Sequence, residues 1–207
     1  MPRPQSDIPE RLLEAARLHF LAQGVDGASL RAIAKEAGTS IGMIYYHYET
    51  KDALFQAVVR RVYQPLLVDL RHALDDAHAP EERLRLVFRR LGKLKNEELE
   101  VVRLILREAM FNSERLAWML GQVVGGHLPL ILQAFADGAR AGTFRDDLPP
   151  AAMLIATGSL GLFAQVVRRR IPPEVATFAG LPPSQELAEA LLSILLAGLQ
   201  KRPEAGG

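Results

Sequence analysis

The chain has 207 residues, 49% of them hydrophobic and 24% charged, with a net charge of +1, which is the balance of an ordinary soluble globular protein long enough for one or two cored domains. It has no cysteine, which excludes disulfides, cysteine-based zinc sites and a thiol nucleophile. Residues 1–62 carry net +1 and the rest of the chain is neutral, so charge alone does not point to nucleic acid, and any such reading rests on individual side chains.

In chain order the sequence reads as helix throughout, with apolar residues recurring at steps of three and four and no sustained alternation. Ser6 or Asp7 caps a first helix with Pro9 in its opening turn and Leu12, Leu13, Ala16 and Phe20 on one face, and Gly24 ends it. Ser29 caps a second helix that stops at Gly38, and a third runs from about Ser40 to Tyr46. Thr50 caps a long fourth helix from Lys51 to about Ala77, and His78-Ala79-Pro80 breaks the chain. Helices follow over 81–95, from Asn96 to Phe111, and from Asn112-Ser113 to Ala141, with a bend or break expected around Gly121, Gly125, Gly126 and Pro129. Two largely apolar helices, 150–169 and 184–201, are separated by a proline-rich loop, and Pro203 to Gly207 forms a tail. The polar segment Met1 to Asp7 lacks the apolar stretch of a signal peptide. No apolar run is read as reaching the ~18 residues of a membrane span, so a cytoplasmic protein without a membrane partner is expected.

The informative stretch is Gly24 to Leu54. Two short helices crossing steeply at a tight turn make a helix-turn-helix. Gly38 supplies the turn residue that tolerates positive φ, and Ile33, Ala34, Ala37 and Ile44 plug the crossing. A helix that lies against DNA by its N-terminal end needs small leading residues, and Thr39, Ser40 and Gly42 are small. Glycine inside a helix costs about 1 kcal/mol relative to alanine, so Gly42 makes sense as room for close approach. Tyr45, Tyr46, His47, Thr50 and Lys51 then supply groups that contact phosphates. Tyr48 reads as packing.

Residues 28–54, Ala-Ser-Leu-Arg-Ala-Ile-Ala-Lys-Glu-Ala-Gly-Thr-Ser-Ile-Gly-Met-Ile-Tyr-Tyr-His-Tyr-Glu-Thr-Lys-Asp-Ala-Leu, preceded by Leu12-Leu13-Glu14-Ala15-Ala16, Phe20 and Gly24, resemble the DNA-binding signature of the TetR/AcrR-type transcriptional regulators. The match covers roughly residues 8–60; Ala28 and Glu49 depart from the threonine and lysine common there. The resemblance implies an all-α fold of about nine helices. Residues 1–50 form a three-helix DNA-binding domain, and helix 51–77 links it to an effector-binding and dimerisation domain over 51–207. It further implies a homodimeric repressor on a palindromic double-stranded operator, released by a small ligand, with no cofactor and no metal. Carried over by position, Arg31 reads a base edge, Ser29, Thr39, Ser40, Ile41, Gly42 and Met43 face the groove, and Tyr45, Tyr46, His47 and Lys51 hold phosphates.

Behind this domain, Met110, Phe111, Trp118, Met119, Phe135, Met153 and Phe163 suit either plain core or, as the resemblance implies, a cavity for an apolar or aromatic effector, with His127, Thr157 and Gln165 as polar contacts. The last two helices are apolar around most of their circumference, as expected of a twofold four-helix interface, with Leu192 and Leu195 across it. Arg168-Arg169-Arg170 reads as a helix C-terminus facing its dipole. An enzyme is not expected, because His19, His72, His78 and His127 lack metal-ligand spacing and no phosphate loop or nucleophile elbow occurs. The alternatives are a transcriptional activator of the same fold or a helical adaptor binding protein through the C-terminal helices.

Overall fold

The computed structural model describes residues 7–111 and 113–200. The expected Ser6 cap, Asn112 and the 203–207 tail lie outside them. The helices are α1 (Ile8–Gly27), α2 (Leu30–Glu36), α3 (Ile41–His47), α4 (Lys51–Ala73), α5 (Pro80–Gly92), α6 (Asn96–Phe111), α7 (Ser113–Val124) and α8 (Leu128–Arg140). After them come α9 (Pro150–Gly158), a π turn (Ser159–Phe163), α10 (Ala164–Arg168), α11 (Pro173–Phe178) and α12 (Ser184–Leu199). Among the described residues the sole extended pairing is one antiparallel bridge, Phe144 to Gln200.

Local chemistry explains the boundaries. Gly24 sits at φ 78° and breaks the regular path of α1 before its end. The α4 helix stops at Ala73, short of Ala77, where the Asp75 carboxylate accepts the Ala77 N–H at 2.9 Å. The proline-rich stretch expected to be loop contains α11. Pro173 opens that helix, where a missing N–H costs nothing, and Gly180 at φ 61° closes it, with the Leu181 N–H donating to the Ala176 carbonyl at 2.8 Å. This helix and the break at Gly125-Gly126 between α7 and α8 raise the helix number above nine.

A second correction concerns Pro150–Arg168. Continuous through the π turn, it has 19 residues and mean hydropathy 1.6, long and apolar enough by length and composition to cross a membrane. Small polar residues, Thr157, Ser159 and Gln165, disguise the run, yet Thr157 and Gln165 are buried and satisfied within the protein.

The chain forms two compact units that interleave in sequence, residues 7–66 with 96–120, and residues 67–95 with 121–200. In the first, Leu12, Ala16, Phe20, Ile33, Ile44, Leu54, Phe55 and Val58 are buried together with Val101, Leu104 and Met119. Phe55 meets Phe20 and Trp118 edge-on, with centroids 6.3 and 6.2 Å away, the geometry aromatic pairs prefer. Arg17 pairs with both Glu14 and Glu100. In the second unit α12 lies on α5, where Gly92 leaves room for Ala188, and Gly161 of the π turn faces Leu91 and Phe88. Leu192 and Leu195 are 1% and 5% exposed. They therefore belong to the protomer's own core, and the expectation that they face a partner is corrected. Buried Arg83 donates to the carbonyls of His78 and Asp76 and pairs with Asp137. Arg168 donates to the Pro182 carbonyl at 2.9 Å.

Candidate nucleic-acid interface

The α2–turn–α3 segment is built by capping. The Ser29 hydroxyl accepts the Ala32 N–H at 3.4 Å and starts α2. Gly38 at φ 64° ends it, and the Thr39 N–H reaches back to the Ala34 carbonyl at 2.9 Å, the six-residue bond of a helix ending in a left-handed residue. Only glycine adopts that φ without strain. One face of α3 is then fixed, because Ile44 is buried while Ile33, Ala34 and Ala37 close the crossing.

The other face is left open. Ile41, Gly42, Tyr45, Tyr46 and His47 are exposed, Tyr46 at 78%, and Thr39 and Met43 are half-buried. Ser29, Arg31 and Ser40 are exposed as well. A Cβ on Gly42 would meet nothing nearer than the Ser40 hydroxyl at 3.6 Å. The protein's own packing therefore does not require glycine there. Tyr46 and His47 stack edge to face at 5.0 Å. Tyr48 turns inward against the core, as expected, and burial raises its phenol pKa above the usual value. Thr50 caps α4 by accepting the Ala53 N–H at 2.9 Å.

Lys51, expected to hold a phosphate, has a partner within the protein. It is half-buried, and its ammonium donates to the Asp26 carbonyl at 2.9 Å. Asp26 is itself held by Arg115 of α7, a residue that no motif in the sequence singles out. The Arg115 guanidinium is 7% exposed and bonds the Asp26 carboxylate twice, at 2.7 and 3.0 Å, Asp52 at 2.6 Å and Glu108 at 2.8 Å. These partners hold its pKa above its usual value, through the Asp26 bond first of all, and the same bond lowers the Asp26 carboxyl. Nothing in the spacing of residues 26, 52, 108 and 115 announces this cluster.

The eight expected effector contacts divide between the units. Met110 and Phe111 are 79% and 81% exposed, and Met119 is buried in the first unit's core. Trp118 lines a small cleft of about 110 Å³ with Asp52, Phe55, Gln56, Glu114 and Arg115. In the second unit Phe135 and Thr157 are buried, Phe163 is half exposed and His127 is partly buried. Thr157 donates to the Met153 carbonyl, and Gln165 donates to the Ser184 carbonyl, so both polar groups serve the fold. Among the described residues no cluster of His, Asp or Glu could hold a metal ion.

Comparison with known proteins agrees with this geometry. Residues 12–58 match the model of the bacterial regulatory proteins of the tetR family. The chain is 24% identical over 176 residues to the HTH-type transcriptional regulator UidR of Escherichia coli K12, covering 83% of this chain and 87% of that protein. In fold it is similar to the ketosteroid transcriptional regulator KstR2 of Mycobacterium tuberculosis, with TM-score 0.68 and 22% identity over 97% of this chain and 98% of that one. It is also similar to the transcriptional regulator FadR of Bacillus subtilis in complex with stearoyl-CoA, with TM-score 0.73 and 16% identity over 91% and 98%. A helix-turn-helix with this open face, matched over residues 12–58 by the tetR-family model and set in a chain similar along most of its length to an HTH-type transcriptional regulator, marks this region as a DNA-binding domain of the tetR type.

Proposed function

We propose that the protein is a homodimeric repressor that binds a palindromic operator and is released by a small apolar or aromatic effector. In this reading residues 1–50 bind DNA, and residues 51–207 bind the effector and form the dimer. The observation that carries it is Gly42. It sits in a short helix, costs stability there, and has space for a side chain within the protein, so the demand for a bare backbone comes from outside the chain. A groove wall pressed against α3 supplies that demand. Arg31 then reads a base edge, Ser29, Thr39, Ser40, Ile41 and Met43 lie along the groove, and Tyr45, Tyr46, His47 and Lys51 hold phosphates. The effector reading is supported by the fold shared with FadR, whose structure holds stearoyl-CoA. The cytoplasm follows as the place of action.

The test is a salt-dependent gel shift on the DNA upstream of the protein's own gene. The expected result is a discrete complex that weakens steeply with salt and is not formed on an unrelated duplex at the same protein concentration. Equal binding to both duplexes refutes operator recognition.

A further inference from the structure

We infer that Arg115 is a positioning residue for DNA binding: it holds the turn whose carbonyl orients Lys51, and so joins the α6–α7 hairpin to a phosphate anchor. This rests on the proposed role of Lys51. Lysine is a flexible point charge with three rotatable donors. Left alone, its ammonium samples many positions. Here one donor is spent on the Asp26 carbonyl at 2.9 Å, which leaves two N–H groups for other acceptors. That carbonyl belongs to the last turn of α1, after the break at Gly24, where the Ala28 N–H donates to the Gly24 carbonyl at 3.2 Å. This short turn, set off from the rest of α1 by the break, is tied down from α6 and α7 as well. Arg115 grips the Asp26 carboxylate with two bonds, and Glu108, which Arg115 also bonds, accepts the Val25 N–H at 3.3 Å. Arg115 reaches the first turn of α4 too, through Asp52 beside Lys51. One guanidinium thus sets both ends of the Lys51 geometry, its helix and its acceptor. A planar fork of donors can do this and an ammonium cannot.

The variants separate geometry from charge. Asp26→Asn removes a negative charge beside the proposed DNA face. On Coulomb grounds alone it should tighten DNA binding. If Arg115 acts through Asp26 and Lys51, it should weaken binding instead. Asp26 is an exposed side chain (79%), so this variant keeps its fold even if Arg115→Lys does not. Arg115→Lys keeps the charge but loses the fork. The probe is a random-sequence duplex, because a phosphate anchor acts on every sequence, titrated by fluorescence anisotropy across a salt series. We expect Asp26→Asn and Arg115→Lys each to bind about tenfold more weakly than the parent. We also expect the slope of log affinity against log salt to be shallower by about 1.8, the loss of one phosphate contact from each subunit of the dimer. Lys51→Ala should show the same change, and adding Asp26→Asn to it should cost nothing more. A merely structural role for Arg115 would leave the slope unchanged. Affinity equal to or tighter than the parent's, or weaker affinity at an unchanged slope, overturns the inference. A parent that binds no duplex overturns the DNA reading itself, and this one with it, whereas a binding parent matched by its variants overturns the positioning alone.

Discussion

Arg31 and Lys51 differ in what a duplex offers them. Arg31 is an exposed fork near the start of α2, suited to two bonds with a guanine edge, worth ~1–3 kcal/mol of discrimination. Arg31→Ala should therefore relax base preference at one position of each half-site, read by selection from a randomised operator library. Lys51→Ala should weaken all sequences about equally. If the two variants have the same profile, the division between base reader and phosphate anchor is wrong. His127 carries a separate prediction. Burial holds its imidazole pKa below the usual 6.5. Above that value both folded and unfolded chains are neutral at this site. Below it the unfolded chain takes up a proton that the folded one resists, so stability is lost as pH falls from about 6.5 toward the folded pKa. The melting temperature should drop between about pH 7 and 5.5, and drop less in His127→Gln; identical pH profiles would remove His127 as the cause. The exposed face of α3 was legible because its spacing is local, set by two short helices and one glycine. Arg115 was not, because its partners lie 7 to 89 positions away and only the packing of α6 and α7 brings them together.

At the scale of elements, the C-terminal helices show what composition leaves open. Apolarity all round α9–α10 and α12 suggests burial on several sides; in the protomer each helix buries one face and leaves the other open, and composition could not tell which. Leu192, Leu195, Leu196 and Leu199 face the protomer's core, while Ile194 is 63% exposed. On the other helix Ala151, Ile155, Ser159, Phe163 and Val167 are all exposed, at steps of four. In a pure α-helix such a stripe drifts ~40° per step. The π turn at Ser159–Phe163 contributes one extra residue, which sets the phase back and keeps the stripe nearer to one face. A partner covering it needs both flanks, so Ile194→Asp and Phe163→Asp should each give folded monomers in sedimentation and lose operator binding. Leu192→Asp should instead lose the fold, because it buries an unpaired charge. A folded, dimeric Phe163→Asp or Ile194→Asp at micromolar concentration would place the dimer interface elsewhere.

For the molecule as a whole, the feature that matters is the helix the two compact units share. The 23 residues of α4 run from Lys51 in the first unit to Ala73 in the second, about 35 Å at ~1.5 Å per residue. Pro65 lies inside it, one residue before the position where the first unit ends. A proline there cannot donate to the Arg61 carbonyl and crowds it, a cost of ~3 kcal/mol in a helix interior. That cost is tolerated in a stretch of α4 where Val62 and Leu66 are buried on either side of Pro65. If effector binding tilts α4, Pro65 is where the helix yields, and only part of the tilt reaches Lys51. Restoring the missing bond should therefore stiffen the lever. Pro65→Ala is expected to raise the melting temperature by several degrees and to slow amide exchange in the turn after residue 61. By linkage, whatever weakens operator binding on effector addition must weaken effector binding on operator addition by the same factor. Pro65→Ala should enlarge that factor while changing operator affinity without effector less than Lys51→Ala does. The measurement is calorimetry of an effector found by thermal-shift screening, with and without operator, in parent and variant. A coupling factor of one in the parent would show that effector binding does not switch DNA binding, and a factor unchanged by the substitution would show that α4 does not yield at Pro65.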